Sequence, residues 1–155
     1  MNDRTVSLPP IQLPEPVKWK AIPLFAALEQ RRTTREISDT ALSEQQLANL
    51  LWAAFGVNRK TGPFGLPGRT AASASNSQEI DIYVALRDGV YLYNALDNRL
   101  EPLIAEDLRV RALTPGQQDI PSVAPVQLIF VADIDRMTHT QGFEEPGLHD
   151  PEIQK

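Results

Sequence analysis

The spacing of hydrophobic and polar residues changes along this chain, and each change marks a different element. From Ser43 to Phe55, Leu47, Leu50, Leu51 and Ala54 fall at i, i+3, i+4 and i+7, with Trp52 and Phe55 widening the stripe. That is the period of an amphipathic helix. Ser43 is a natural N-cap, Gln46 completes a capping box, and Gly56 supplies the stop. A shorter helix is expected over Leu24 to Gln30, with Leu24, Ala27 and Leu28 on one face. Further on, IDIYVALR and VYLYN read as strands joined at Asp88-Gly89. That dipeptide favours a hairpin because both turn positions tolerate positive φ. A short helix is expected near Glu106 to Leu113.

The last patterned segment, VQLIFVA at 126–132, is nearly continuously apolar. A strand with one wet face would alternate, so this one is expected to be buried on both faces. Two-sided burial needs helices to cover it. The residues that follow, DIDRMTHTQGFEEPGLHDPEIQK, are polar and without period, so the domain is expected to be incomplete toward its C-terminus.

Two regions lack a period. Residues 7–23 hold Pro9, Pro10, Pro14, Pro16 and Pro23, which exclude a helix and favour extended backbone. Leu8, Ile11, Leu13, Val17, Trp19 and Ile22 interleave with them, so the segment reads as an arm packed on its own domain or on a partner subunit. Residues 57–79 form a long connection rich in Gly, Pro, Ser, Thr and Asn. Connections above about 12–15 residues are uncommon in compact domains and often functional. The expected organisation is an arm at 1–23, a domain at 24–136 and a polar tail at 137–155.

A length of 155 residues fits one domain able to bury a core without staples. The net charge is −5, from 20 acidic and 15 basic residues, which argues against a nucleic-acid partner. The absence of cysteine removes disulfides, thiolate metal sites and cysteine nucleophiles. With no run of 18 apolar residues and no apolar leader, a soluble, cytoplasmic protein without membrane contact is expected. His139, Glu144, Glu145, His149 and Asp150 are too irregularly spaced to read as a metal site, and no metal is expected.

Within this acidic chain, EQRRTTREIS concentrates Arg31, Arg32, Thr33, Thr34 and Arg35. Cations after a helix complement its dipole by roughly 0.3–1 kcal/mol each, which is one reading. The other is a phosphate cradle, since arginine forks and a threonine hydroxyl make charge-assisted bonds to phosphate. In GRTAASASNSQEI, the small residues Ala71, Ala72, Ser73, Ala74 and Ser75 would let backbone approach a flat ligand, while Asn76 and Gln78 offer donors and acceptors suited to a heterocycle edge. Alternatively it is a flexible Ser/Ala connection.

Together, RRTTR resembles the RRSxR element of the FMN-dependent nitroreductase family (SagB-like and nitroreductase-like oxidoreductases), and AASASNSQEI resembles its PSSxNxQPW element. LSEQQLANLLWAAFGVNR, GRTA, DGVYLYN and APVQLIFVAD follow in a similar order, so the resemblance runs from about Leu24 to Asp133. It implies an α+β fold, an antiparallel-rich sheet packed with helices, and a homodimer. Arg31 and Thr33, with Arg32 beside them, would bind the FMN phosphate. Arg35 would lie near N1/O2 of the isoalloxazine, where a fixed cation favours the reduced ring. Asn76 would bond the pyrimidine edge, and Ser73 and Gln78 match further loop positions. NAD(P)H would deliver hydride to the flavin, and a small nitroaromatic or quinone-like acceptor would take it, with no catalytic side chain required. Ala72, Ala74 and Glu79-Ile80 depart from the family motif, and Ala74 lacks the hydroxyl of its second serine. The resemblance also implies further helices, a GxxxQN-like motif and a last strand after VQLIFVAD. Without them, the alternative is a truncated, flavin-free fragment serving as an association module. A third reading is a flavin-dependent azoline dehydrogenase.

Overall fold

A computed structural model of the chain describes residues 8–18, 22–34, 36–112 and 124–140. Its centre is a five-stranded antiparallel sheet in the order β1-β6-β5-β4-β7. The strands are β1 (Ile11–Gln12), β4 (Ile80–Ala85), β5 (Val90–Asn94), β6 (Arg99–Ile104) and β7 (Gln127–Ala132). Between β1 and β4 lie helices α1 (Leu24–Gln30) and α2 (Glu44–Phe55) and a two-stranded hairpin of β2 (Val57–Arg59) and β3 (Gly68–Arg69).

The expected helix at 43–55 is present with its capping box. The Ser43 hydroxyl accepts from the Gln46 N–H, and the Gln46 side chain accepts from the Ser43 N–H at 2.9 Å. Its stripe of Leu47, Ala48, Leu51 and Phe55 is buried against Ile82 and Val84 of β4, Tyr91 and Tyr93 of β5, and Leu100 of β6. The register explains why these residues share one face: Val84 faces Tyr91 across β4–β5, and Tyr93 faces Leu100 across β5–β6. Alternation along each strand then sends Ile82 and Val84 to the same side. The proline-rich arm is extended, as its prolines require. Ile11 pairs with Leu100 and Leu13 joins the core, so the arm packs on its own sheet.

The structure departs from the sequence reading in several places. The 57–79 segment is not structureless: Val57 pairs with Arg69 and Arg59 with Gly68, across a bulge. The hairpin is bolted to α2 by Thr70 N–H to Gly56 O at 2.9 Å, Thr70 Oγ1 to Trp52 O at 3.0 Å and Trp52 Nε1 to Val57 O at 3.1 Å. Strand β6 went unpredicted, because Pro102 and the charged Arg99 and Glu101 break an apolar alternation. The helix expected near Glu106 to Leu113 is instead a 3-10 turn over Arg109–Ala112 within the described residues. The β4–β5 connection closes with Leu86 N–H to Gly89 O at 2.8 Å, but neither Asp88 nor Gly89 has positive φ. Glycine is needed there for space, since a Cβ would run into the Ile104 carbonyl and the Leu8 side chain.

The largest departure concerns β7. It pairs in register with β4 alone, from Ile80–Ala132 to Ala85–Gln127, and forms an edge of the sheet built by the described residues. It is not buried on both faces: Phe130 is 56% exposed, and Val131 and Ile134 are exposed as well. After it comes a 3-10 segment at Ile134–Thr140, where a patternless tail was expected. Residues 141–155, with Glu144, Glu145, His149 and Asp150, lie outside the described residues, as does the His139 side chain.

Candidate functional site

Among the described residues, three of the five non-glycine positions with positive φ lie in the loop from Thr70 to Glu79. Ser75, Asn76 and Gln78 all hold positive φ (52°, 55° and 51°), as does Phe64 (60°) in the neighbouring β2–β3 connection. Residues other than glycine in this region cost energy and persist only where surroundings over-determine them. The surroundings here are polar. Ser73 Oγ accepts from Gln78 N–H at 3.0 Å, and Asn76 Nδ2 donates to Pro63 O at 3.2 Å. Gln78 Nε2 donates to Pro67 O at 2.7 Å and to Asn76 Oδ1 at 3.2 Å. Asn76 N–H and Ser77 N–H donate to Ser73 O and Ala74 O.

Two clefts flank this loop. The larger, about 510 Å³, opens between the β2–β3 hairpin and the loop, and Ser73, Ser75 and Asn76 line it together with Ala71 and Ala72. The smaller, about 290 Å³, lies beyond it over the end of the sheet, between Phe55, Gln78 and Tyr93. Arg69 is common to both. Its Nε donates to Gln78 Oε1 at 2.6 Å, and its guanidinium lies 4.9 Å from the Phe55 ring centre. Burial pulls its pKa down, opposed by Tyr93. Among the described residues its Nη1 is buried without a partner, and so is the Tyr93 hydroxyl. Burial pushes the Tyr93 phenol up to about 12, with Arg69 opposing, so this hydroxyl stays protonated across the physiological range.

The exit of the loop is clamped from the far end of the chain. Arg136 forms a two-pronged ion pair with Asp81 (2.9 and 2.7 Å), reaches Asp133, and donates to Gln78 O at 3.3 Å. Asp133 N–H donates to Glu79 O at 2.7 Å. Ser77 Oγ donates to Glu79 Oε2 at 2.6 Å, which lowers the Glu79 pKa.

The structure thus brings Ser73, Asn76 and Gln78 into one unit. Gln78 spends its amide inside the loop, while Asn76 keeps an N–H and a lone pair for the cleft. Arg31 and Arg32 stand elsewhere, lining a shallow cleft of about 430 Å³ with Glu29 and Gln30 at the end of α1. Arg31, Arg32 and Thr33 are exposed, and among the described residues neither arginine makes an ion pair. Arg35 lies outside the described residues. Sequence reading passed over Arg69, Arg59, Tyr93 and Arg136. Arg69 lies in the GRTA segment, which contributes to the family resemblance and carries no site signal of its own. Arg136 pairs locally with Asp133, but Asp81, the partner that ties it to the exit of the loop, is 55 residues away. Among the described residues no group of three or more His, Cys, Asp or Glu could hold a metal ion, and no helix is long and apolar enough to cross a membrane.

Comparison with known proteins identifies the family and the overall fold. The profile of the Nitroreductase family matches residues 28–148, and the chain belongs to that family. It is 31% identical over 142 residues to the protein named Putative nitroreductase MJ1384 of Methanocaldococcus jannaschii, covering 85% of this chain and 66% of the relative. A crystal structure of another protein bearing the nitroreductase designation, from Ralstonia eutropha JMP134, superposes with a TM-score of 0.73 at 39% identity, over 94% of this chain and 61% of that one. The chain therefore spans under two thirds of the length of each. The α+β, antiparallel-rich fold expected from the sequence is the fold of these neighbours.

Proposed function

We propose that this protein is an FMN-dependent oxidoreductase that takes hydride from NAD(P)H and passes it to a small nitroaromatic or quinone-like acceptor. One observation carries the reading: in a nitroreductase-family chain, the 73–78 loop holds three strained residues beside a cleft of about 510 Å³. Cavities of about 300–1,000 Å³ are typical of cofactor and small-molecule sites. The donor set fits a flavin. Ala71 and Ala72 line the cleft with small side chains, and Asn76 retains hydrogen-bonding capacity.

In this reading Ser73 and Gln78 position the loop, and Asn76 bonds the heterocycle edge. Arg31, Arg32 and Thr33 bind the phosphate, and Arg35 favours negative charge on the ring. When bound, FMN supplies the exchange of a hydride equivalent between donor and acceptor. The chain's own residues bind, orient and exclude water. Nothing among the described residues joins the Arg31–Arg32 cleft to the loop cleft, and homodimerisation is part of the proposal for that reason. The exposed α1 face, with Leu24, Phe25 and Leu28, supports it. The protein acts in the cytoplasm.

A flavin titration followed by visible absorbance tests the reading. FMN is expected to bind more tightly than riboflavin. Arg31→Ala should weaken FMN by at least tenfold, in line with about 1.5–3 kcal/mol for a hydrogen bond to a charged group, and leave riboflavin unchanged. Equal losses for both flavins would reject the phosphate role, and a protein that stays colourless after incubation with FMN would reject the function. Light scattering is expected to give twice the chain mass.

A second reading, a flavin-free association module, is favoured by the exposed apolar side chains of Phe130, Val131 and Ile134 on β7 and just after it. Hydrogen exchange separates the two: strong protection of residues 126–132 in the isolated protein would contradict the module.

A further inference from the structure

The larger cleft has two cationic walls, Arg59 and Arg69, and no carboxylate among its lining residues. Arg59 is placed there by its cross-strand partner. It pairs with Gly68, and its guanidinium passes directly over that glycine, where a Cβ would come within 2.7 Å of Nη2 and 2.8 Å of Cζ. A Cβ at 68 would displace the Arg59 guanidinium from this position. Arg59 makes no ion pair among the described residues. Arg69 is fixed on Gln78 and Phe55, with Nη1 buried and unpartnered among the described residues. Two guanidinium groups lining one cleft repel each other, and among the described residues no acidic side chain lines it to offset them. The other polar groups facing the cleft include hydroxyls. Ser73 Oγ already accepts a hydrogen bond from Gln78 N–H, which leaves its O–H to donate. A cleft supplied with donors, carrying net positive charge and no acid, is complementary to an oxyanion.

We propose that Arg59 and Arg69 form an oxyanion subsite that takes the carboxylate or phosphate of a flat aromatic ligand bound in this cleft. This rests on the flavin-oxidoreductase reading and deepens it. If the flavin's phosphate goes to Arg31–Thr33, the group held here is a carboxylate on the electron acceptor, which makes carboxylated nitroaromatics or quinones the preferred substrate class.

The test is isothermal titration of the full chain with two matched pairs: 4-nitrobenzoate against 4-nitrobenzamide, and FMN against riboflavin. Wild type, Arg59→Gln, Gly68→Ala and Arg31→Ala are compared. The expected result is a tenfold or greater preference for 4-nitrobenzoate over its neutral isostere. Arg59→Gln and Gly68→Ala should abolish that preference, and Arg31→Ala should retain it. Gly68→Ala displaces the guanidinium without removing its charge, so its loss of preference identifies position rather than bulk charge as the cause. If Arg59→Gln instead abolishes the FMN-over-riboflavin preference while Arg31→Ala keeps it, the subsite stands with the flavin phosphate as its oxyanion, and the Arg31–Thr33 assignment fails. If both preferences survive Arg59→Gln, there is no oxyanion subsite.

Discussion

Helices α1 and α2 start from similar apolar faces and end differently. Over its 12 residues α2 has a reciprocal cap, and it buries Leu47, Ala48, Leu51 and Phe55 on the sheet. The seven-residue α1 has no side-chain cap and buries nothing; Leu24, Leu28 and Phe25 are exposed, the last by 79%. Short isolated helices are marginal in water, and most helical stability in proteins comes from packing an amphipathic face. The difference teaches that an apolar stripe states a need for cover without supplying it. In α2 the described chain meets that need. In α1, and at Phe130 on β7, it does not.

The contrast breaks most sharply at Leu51, which is fully buried. Leu51→Ala should lose about 3–5 kcal/mol of unfolding free energy in urea denaturation, as large-to-small changes in cores do. A loss under about 1 kcal/mol would mean that α2 is not the keystone described here.

Next comes Tyr93, which lies in the core beneath α2. Its folded pKa is raised to about 12, so the folded state keeps its proton where an unfolded tyrosine releases it near 10. The unfolded state binds fewer protons in that window, so this contribution to stability is intact below pH 10 and is lost as pH rises toward 12. By pH 12 the loss should be on the order of 2 kcal/mol. Tyr93→Phe should flatten that part of the alkaline fall. It should change neutral-pH stability little, since the hydroxyl it deletes is buried without a partner among the described residues. An unchanged alkaline slope in the variant would count against the raised phenol.

Ser43→Ala removes the cap of α2 and should cost about 1 kcal/mol, read by thermal or urea unfolding. The smallest effect belongs to α1. Phe25→Ser should change monomer unfolding by less than about 0.5 kcal/mol, because an exposed side chain has little burial to lose. It should nonetheless shift the mass measured by light scattering if α1 is part of a subunit interface. A large loss of monomer stability would show that α1 has cover after all.

Legibility followed locality. The cap and stripe of α2, the β4–β5 hairpin and the existence of β7 came from residues a few positions apart. Strand β6 was missed because Pro102 and two charged residues mask its alternation, and β2 and β3 because strands of three and two residues carry no measurable period. Within the candidate site, Ser73, Asn76 and Gln78 were found from composition and family resemblance. The hydrogen bonds that commit Gln78 to the loop were not foreseeable, since they depend on where Arg69 and Pro67 lie.

By itself, the sequence determined the helices, three principal strands, the family and the loop that shapes the cleft. All of these rest on spacings within one element or on a run of residues read in order. Tertiary structure alone decided that β7 sits at an edge of the sheet built by the described residues, that Arg59 and Arg69 line the same cleft, and that Arg136 clamps Asp81 across 55 residues. Side-chain periodicity records which face of an element is apolar. Which neighbour meets that face, and which charges are brought together, is fixed only by how the strands pair.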